Sequence, residues 1–269
     1  MCAPEVYQIV FAREYVSHLK TIEWVMTRRR PTTLKITLPT TVLGFLGKHL
    51  LRFTTRNCLL SGSLPTNIGN LHSLQELSLF GNFIKGEIPE SIGNLQNLVH
   101  LNLEQNELSG SIPASLFNLP KLVFLSLAHN NLSGSLDSTT ICNLKSITIM
   151  DLSHNKLVGP LPVELWSLET LEVLSLFANH RLSTHLPPEI GNLNRLIAFN
   201  MSMCSLKGRI PPEIGRLVNL QSLLMHNNDL SGDVPVEMLG MVRLEEVVLE
   251  KNKGLSISFE FPPAVSVCL

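Results

Sequence analysis

Several things are missing from this chain of 269 residues, and each absence closes off a class of function. No run of about 18 apolar residues occurs, so the sequence predicts no membrane-spanning helix. Charge of one sign is not in excess either. The 21 lysines and arginines nearly balance 22 acids, leaving a formal net charge of -1 and no long-range pull toward nucleic acid or anionic lipid. A secretory leader is not legible at the start, because Glu5, Arg13 and Glu14 interrupt any apolar stretch. There is no GxSxG elbow and no kinase glycine-rich loop, HRD or DFG segment, so the motifs of hydrolase and kinase chemistry are lacking. Nothing calls for a cofactor. Cysteine is sparse and odd in number, five in all, which argues for free thiols over a disulfide framework.

What the chain does have is a period. The stretch Leu95 to Leu119 carries apolar residues at Leu95, Leu98, Leu101, Leu103, Leu108, Ile112 and Leu116, with Asn106, Gly110 and Pro113 at set offsets. The slot of Asn106 recurs as Cys58, Asn82, Asn106, Asn130, Asn155, Asn179, Cys204, Asn228 and Asn252, in steps of 24 or 25 residues. A domain with one closed core has no reason to repeat so regularly; a solenoid does. Leu101 and Leu103 alternate with Asn102 and Glu104, which predicts a short strand with one buried face. A buried Asn at the strand's exit offers two donors and an acceptor to backbone groups that a bend would orphan. Gly110 permits the tight turn that follows, and Pro113 presets its own backbone and stops further pairing.

The pattern LxxLxxLxLxxNxLxGxIPxxLGxLxx resembles the plant-type leucine-rich repeat, found in receptor-like kinase ectodomains, receptor-like proteins and polygalacturonase-inhibiting proteins. The likeness runs from about Leu50 to Leu255. It implies an α/β repeat solenoid: a right-handed superhelix with a concave parallel β-sheet and an irregular or 3-10 convex side. It also implies a cell-surface or extracellular setting, a protein or peptide ligand on the concave face and a co-receptor. It says little about which ligand, since one scaffold carries many functions.

Three regions follow from the register. Residues 1–46 lie outside the repeat, residues 47–255 hold it, and residues 256–269 form an apolar tail. Within the first region, Pro4 to Met26 carries apolar residues at spacings compatible with an amphipathic helix, ended by Arg28, Arg29, Arg30 and Pro31. No paired-cysteine cap precedes the first repeat, which is decayed, with Thr55 in a leucine slot. Asp137 takes a proline slot, and one residue is inserted before Ile141. Another insertion follows Asn179, with Thr184 in a glycine slot. The tail has no recognisable capping pattern, so fraying is expected beyond about Asn228.

Strand residues that alternate with the buried leucines face outward and are the candidates for binding. Phe124, Ile149, Val173 and Ala198 share one slot in consecutive repeats, which at about 4.8 Å per strand makes a strip about 15 Å long. Phe177, Asp151, Glu104 and Phe80 flank it. A contiguous apolar row rimmed by polar groups has the character of a binding patch. His129 and His154 precede ladder asparagines in adjacent repeats. Only Asp151 adds a third potential metal ligand, too few for a site, so no metal is expected. If the chain is secreted, Asn131 and Asn200 are N-x-S glycan acceptors. The leading reading is non-enzymatic recognition of a protein or peptide in receptor-like or defence signalling. Inhibition of a secreted cell-wall hydrolase and intracellular scaffolding are the alternatives.

Overall fold

The computed structural model describes residues 48–268, together with the backbone of two short strands, Thr21–Val25 and Leu34–Lys35. Each repeat contributes a short strand, of three residues from Glu76 onward, to one parallel sheet of eleven strands, ordered along the chain from Thr21–Val25 to Ser266–Cys268. The leucines that alternate in the pattern point behind this sheet: Leu77, Leu101, Leu125, Met150, Leu174, Phe199 and Leu223 are fully buried. They meet the leucines of the returning side in one continuous core, whose largest members are Trp166, Phe117 and Phe199.

Behind each ladder residue the chain adds a rung to a second parallel sheet. Six strands, from Leu34–Lys35 to Lys156–Leu157, form one part, and three, Lys207–Gly208, Asp229–Asp233 and Gly254–Ser256, form another. The break falls at the repeat with the insertion after Asn179, where only isolated bridges remain, Val158 to Arg181 and His185 to Lys207. Proline then redirects the chain into a single 3-10 turn, as Pro89 does before Glu90–Asn94 and Pro113 before Ala114–Asn118. No α-helix occurs among the described residues. Stacking is close enough that a Cβ at Gly93 would lie 2.6 Å from the Ser115 carbonyl oxygen, so glycine is required there.

The ladder is made as its chemistry demands. Asn130 Nδ2 donates to the carbonyls of Leu103, Leu127 and Ala128 at 2.9 to 3.1 Å, and its Oδ1 accepts from the Leu108 amide at 2.9 Å. Asn82, Asn106, Asn155, Asn179, Asn228 and Asn252 repeat the arrangement with their own neighbours. Cys204 keeps half of it. Its thiol donates to the Leu176 carbonyl at 3.0 Å but supplies no acceptor, and the Leu182 amide turns to the Asn179 carbonyl of its own repeat. Burial pushes that thiol up to about 12, so it stays protonated. Cys58 occupies its slot likewise, its amide held by Asn82 Oδ1.

Three of the less regular places take a form of their own. The amphipathic helix does not extend to Met26: Thr21–Val25 is a strand paired in parallel with Arg52–Arg56, as its β-branched Thr21, Ile22 and Val25 favour. The rest of that expected helix lies outside the described residues. Asp137 does the work of the missing proline by accepting from the amides and hydroxyls of Thr139 and Thr140. Those hydroxyl bonds, Thr139 first, hold its carboxyl below the ordinary carboxylate range. The C-terminal tail also joins the solenoid, although it carries no capping pattern. Ser266–Cys268 pairs with Glu246–Val248, and Ile257, Phe259, Phe261, Val265 and Val267 pack partly buried against the core, covering the end of the solenoid.

Candidate ligand-binding face

The outward residues of the main sheet fall into columns because the strands pair without a slip. Phe124 is the Cα partner of Ile149, Ile149 of Val173, and Val173 of Ala198, so the four apolar residues adjoin across four consecutive strands. All four are half-buried. His100 extends the row upstream, its ring stacked on Phe124 with centroids 4.2 Å apart and planes 6° from parallel. Downstream the row turns polar at Ser222 and Glu246, which hydrogen-bond each other at 2.8 Å.

The strand of the decayed first repeat, whose outward residues the pattern did not single out, belongs to this face. Arg52–Arg56 pairs with Glu76–Ser78, which puts Arg52 beside Glu76 with Nε 3.5 Å from Oε2 and brings Arg56 to the same sheet. The signal was present, since Arg52 and Arg56 stand 24 residues before Glu76 and Phe80. The acids of the face therefore do meet a basic end. Arg56, Asn57, Phe80, His100, Asn102 and Glu104 line a depression of about 420 Å³ there. Burial lowers the His100 pKa, opposed in part by the Glu76 charge and aided to a lesser degree by Arg56.

A second correction concerns the small residues expected to point outward. Ser78, Ser126, Ala128, Ser153 and Ser202 are buried, although they stand in outward slots. Longer side chains from adjacent rungs reach over some of them: Ser126 Oγ donates to Glu104 Oε2 at 3.2 Å, and Ser202 Oγ lies 2.9 Å from His226 Nδ1. What a partner meets is therefore set by Phe80, Glu104, Phe177 and His226 in one column and by Asp151, Ser175 and Asn200 in the next, all half-buried. Asn102, Asp151 and Asn200 each turn a side-chain oxygen back onto the amide two residues on, at 2.9 to 3.0 Å. Of the two glycan acceptors, Asn131 is exposed at the start of a strand in the second sheet, while Asn200 is half-buried beside fully buried Ser202.

The position before each ladder residue has a property no side-chain pattern announced. Asn57, Gln105, His129, His154, Ala178, Met203, Asn227 and Lys251 all have φ between 51 and 59°, and Gly81 holds the same slot at 67°. This left-handed turn aims the side chains of successive rungs alike, and His129 and His154 stack with centroids 3.9 Å apart. Phe177 meets His154 edge-on at 4.7 Å, and His226 lies 6.3 Å beyond Phe177. Burial lowers the His154 pKa, and the neighbouring His129 adds to that. Among the described residues no three His, Cys, Asp or Glu side chains are grouped to hold a metal ion. No helix among them is long and apolar enough to cross a membrane.

Comparison with known proteins accords with this geometry. Two leucine-rich-repeat family models match, one over residues 72–132 and one over residues 146–168. No curated protein matches the sequence. Among solved structures, the plant peptide hormone receptor RGFR1, in complex with RGF2, is 33% identical over 84% of this chain and 35% of its own, with a TM-score of 0.75. The Arabidopsis receptor kinase HAESA, solved with the peptide hormone IDA and the co-receptor SERK1, is 26% identical over 90% of this chain and 39% of its own, with a TM-score of 0.76. A plant ice-binding protein shares the fold alone, at 23% identity over 93% of this chain and 76% of its own, with a TM-score of 0.69. The chain spans about a third of the length of the first receptors it matches.

Proposed function

Since this chain is a leucine-rich-repeat solenoid of the plant type, we propose that it recognises an extended peptide or protein segment laid across the strands of its main sheet. The observation that carries this is the unbroken register of Phe124, Ile149, Val173 and Ala198, half-buried and adjoining, with the His100 ring continuing the row. Partly covered aromatic and aliphatic groups give up their remaining water at little cost in side-chain freedom, so a partner's apolar side chain gains most there. Asp151, Ser175 and Asn200 beside the row supply hydrogen-bonding groups that fix register. The setting implied is receptor-like signalling at the cell surface, without catalysis, and a co-receptor is part of it, as SERK1 is for HAESA.

Inhibition of a secreted hydrolase would instead draw on a basic face. Arg52 and Arg56 supply two such charges, but Arg52 is already neutralised by Glu76 and the far end carries Glu246 and Glu250, which weighs against that reading. The test is panning a phage-displayed library of random peptides on the immobilised chain, followed by affinity measurement on variants. Phe124→Ala and Val173→Asp are expected to weaken recovered peptides by tens-fold, with the convex variant Glu213→Ala like the parent. Concave variants that bind like the parent, with Glu213→Ala failing, would place the site elsewhere.

A further inference from the structure

Beside the apolar row the sheet carries a second feature, separate in its chemistry. His129, His154, Phe177 and His226 line the strand exits as a row of rings, successively stacked, edge-on and tilted. Between this row and Ile149 sits Asp151. Its Oδ1 takes the Ser153 amide at 2.9 Å, and it makes no ion pair, since among the described residues the one salt bridge joins Arg52 to Glu76. A half-buried carboxylate on the rung of His154, close enough to act on it and without a counter-ion, lacks only a cation.

We infer that the partner presents a lysine, arginine or amino terminus to Asp151 against the His154 and Phe177 rings, and that protonation of the stacked histidines expels it. This rests on the peptide-recognition reading above and names the partner's chemistry. The charged and titratable groups around the pair are few. Asp151 lies on the same rung as His154; Glu104 lies on the preceding rung, beside Gln105, which occupies the slot before His129. His180 lies on the turn that follows and acts on His154, and His226 stands beyond Phe177. With both rings neutral, Asp151 and Glu104 make the pocket attractive to a cation. Adding protons to rings 3.9 Å apart reverses that balance next to the bound group.

Because His154 already resists protonation in the free chain, a bound cation depresses it further, and binding at mildly acidic pH releases protons. The affinity therefore falls as pH drops through the histidine range, by roughly a few-fold between pH 7.5 and 5.5 for one added charge, because a ring held below the ordinary value takes up only part of a proton at pH 5.5.

The experiment pans the same random-peptide library on the full chain at pH 7.5, elutes at pH 5.5, and measures the recovered peptides at both values. Expected are peptides sharing a lysine or arginine next to an apolar residue, with a loss of roughly a few-fold on acidification. Asp151→Asn should weaken them at pH 7.5. The double variant His129→Gln, His154→Gln gives up a ring contact and should bind more weakly at pH 7.5, a urea midpoint near the parent's showing that it is folded, and it should lose most of the pH dependence. Glutamine already fills this slot as Gln105 with φ 54°, so the backbone accepts it. Recovered peptides without a basic residue, or with affinity flat or rising on acidification, overturn this inference and leave concave-face recognition standing. A library from which no peptide is retained at pH 7.5 overturns both.

Discussion

Replacing Asn130 by alanine tests what the ladder contributes, and its cost can be worked group by group. Four hydrogen bonds disappear: one from the Leu108 amide and three to the carbonyls of Leu103, Leu127 and Ala128. The carbonyls are not left bare. Leu103 keeps Asn106 Nδ2, Leu127 keeps Asn155 Nδ2, and Ala128 keeps the Gln105 amide. The Leu108 amide alone loses its partner, at a residue that is fully buried. One orphaned buried donor costs about 1–3 kcal/mol, and three redundant bonds add a few tenths each, so the variant should lose about 3 kcal/mol. Cys204→Ala is the internal control. It removes the thiol contacts to the Leu176 and Ser202 carbonyls, which keep Asn179 Nδ2 and the Ala178 amide, so it orphans nothing and should cost about 1 kcal/mol. Urea denaturation followed by the fluorescence of buried Trp166 gives both midpoints. Amide exchange at Leu108 should quicken in Asn130→Ala well before the global transition. Equal losses in the two variants, or unchanged protection at Leu108, would show that the orphaned amide does not govern the ladder's strength.

Three further outcomes follow from other features. Gln105→Gly should stabilise by about 0.5–1 kcal/mol, because exposed Gln105 sits at φ 54°, which costs an L-residue and not glycine, whereas Gln105→Val should destabilise; unfolding midpoints check both. Stability should fall as pH drops below the ordinary histidine value of 6.5: His100 and His154 are both held below it when folded, so the unfolded chain binds protons first. The Asp137 carboxyl, depressed from 3.8, acts only at lower pH, and a urea midpoint unchanged or raised at pH 5.5 relative to 7.5 would contradict the assignment. In material secreted from plant cells, peptide mass mapping should find a glycan on exposed Asn131 far more often than on Asn200, whose sequon serine is buried; the reverse occupancy would count against the main-sheet placement of Asn200.

The regular part of the molecule was legible because its signal is carried by side chains that physics restricts. Only leucine-like residues fill the core slots, and only a small buried donor fits the ladder, so register and columns could be read from Leu101, Leu103 and Asn106. The left-handed slot was not legible, because it constrains the backbone and leaves the side chain free: Gln105, His129, Ala178 and Lys251 share φ and nothing else. The covering of Ser78, Ser126 and Ser202 escaped for a different reason. Outwardness was inferred within one strand, and their burial is produced by neighbours such as Glu104 and His226 some 22 to 24 residues away in the chain. The terminal strands Thr21–Val25 and Ser266–Cys268 carry no leucine pattern, and their pairing is visible only once the preceding edge exists.

The ladder has a direction, and direction matters to a chain that is made from one end. Each asparagine reaches backward: Asn106 closes the backbone of the turn that begins at Asn82, Asn130 that of Asn106, and Asn228 that of Cys204. A repeat is therefore latched by the one synthesised after it. On the ribosome, every coil remains unlatched until about 24 more residues have emerged, and folding trails synthesis by one repeat throughout. Peeling from the C-terminal side undoes the latches in sequence, each loss exposing the next, while loss of an N-terminal coil leaves every later latch shut.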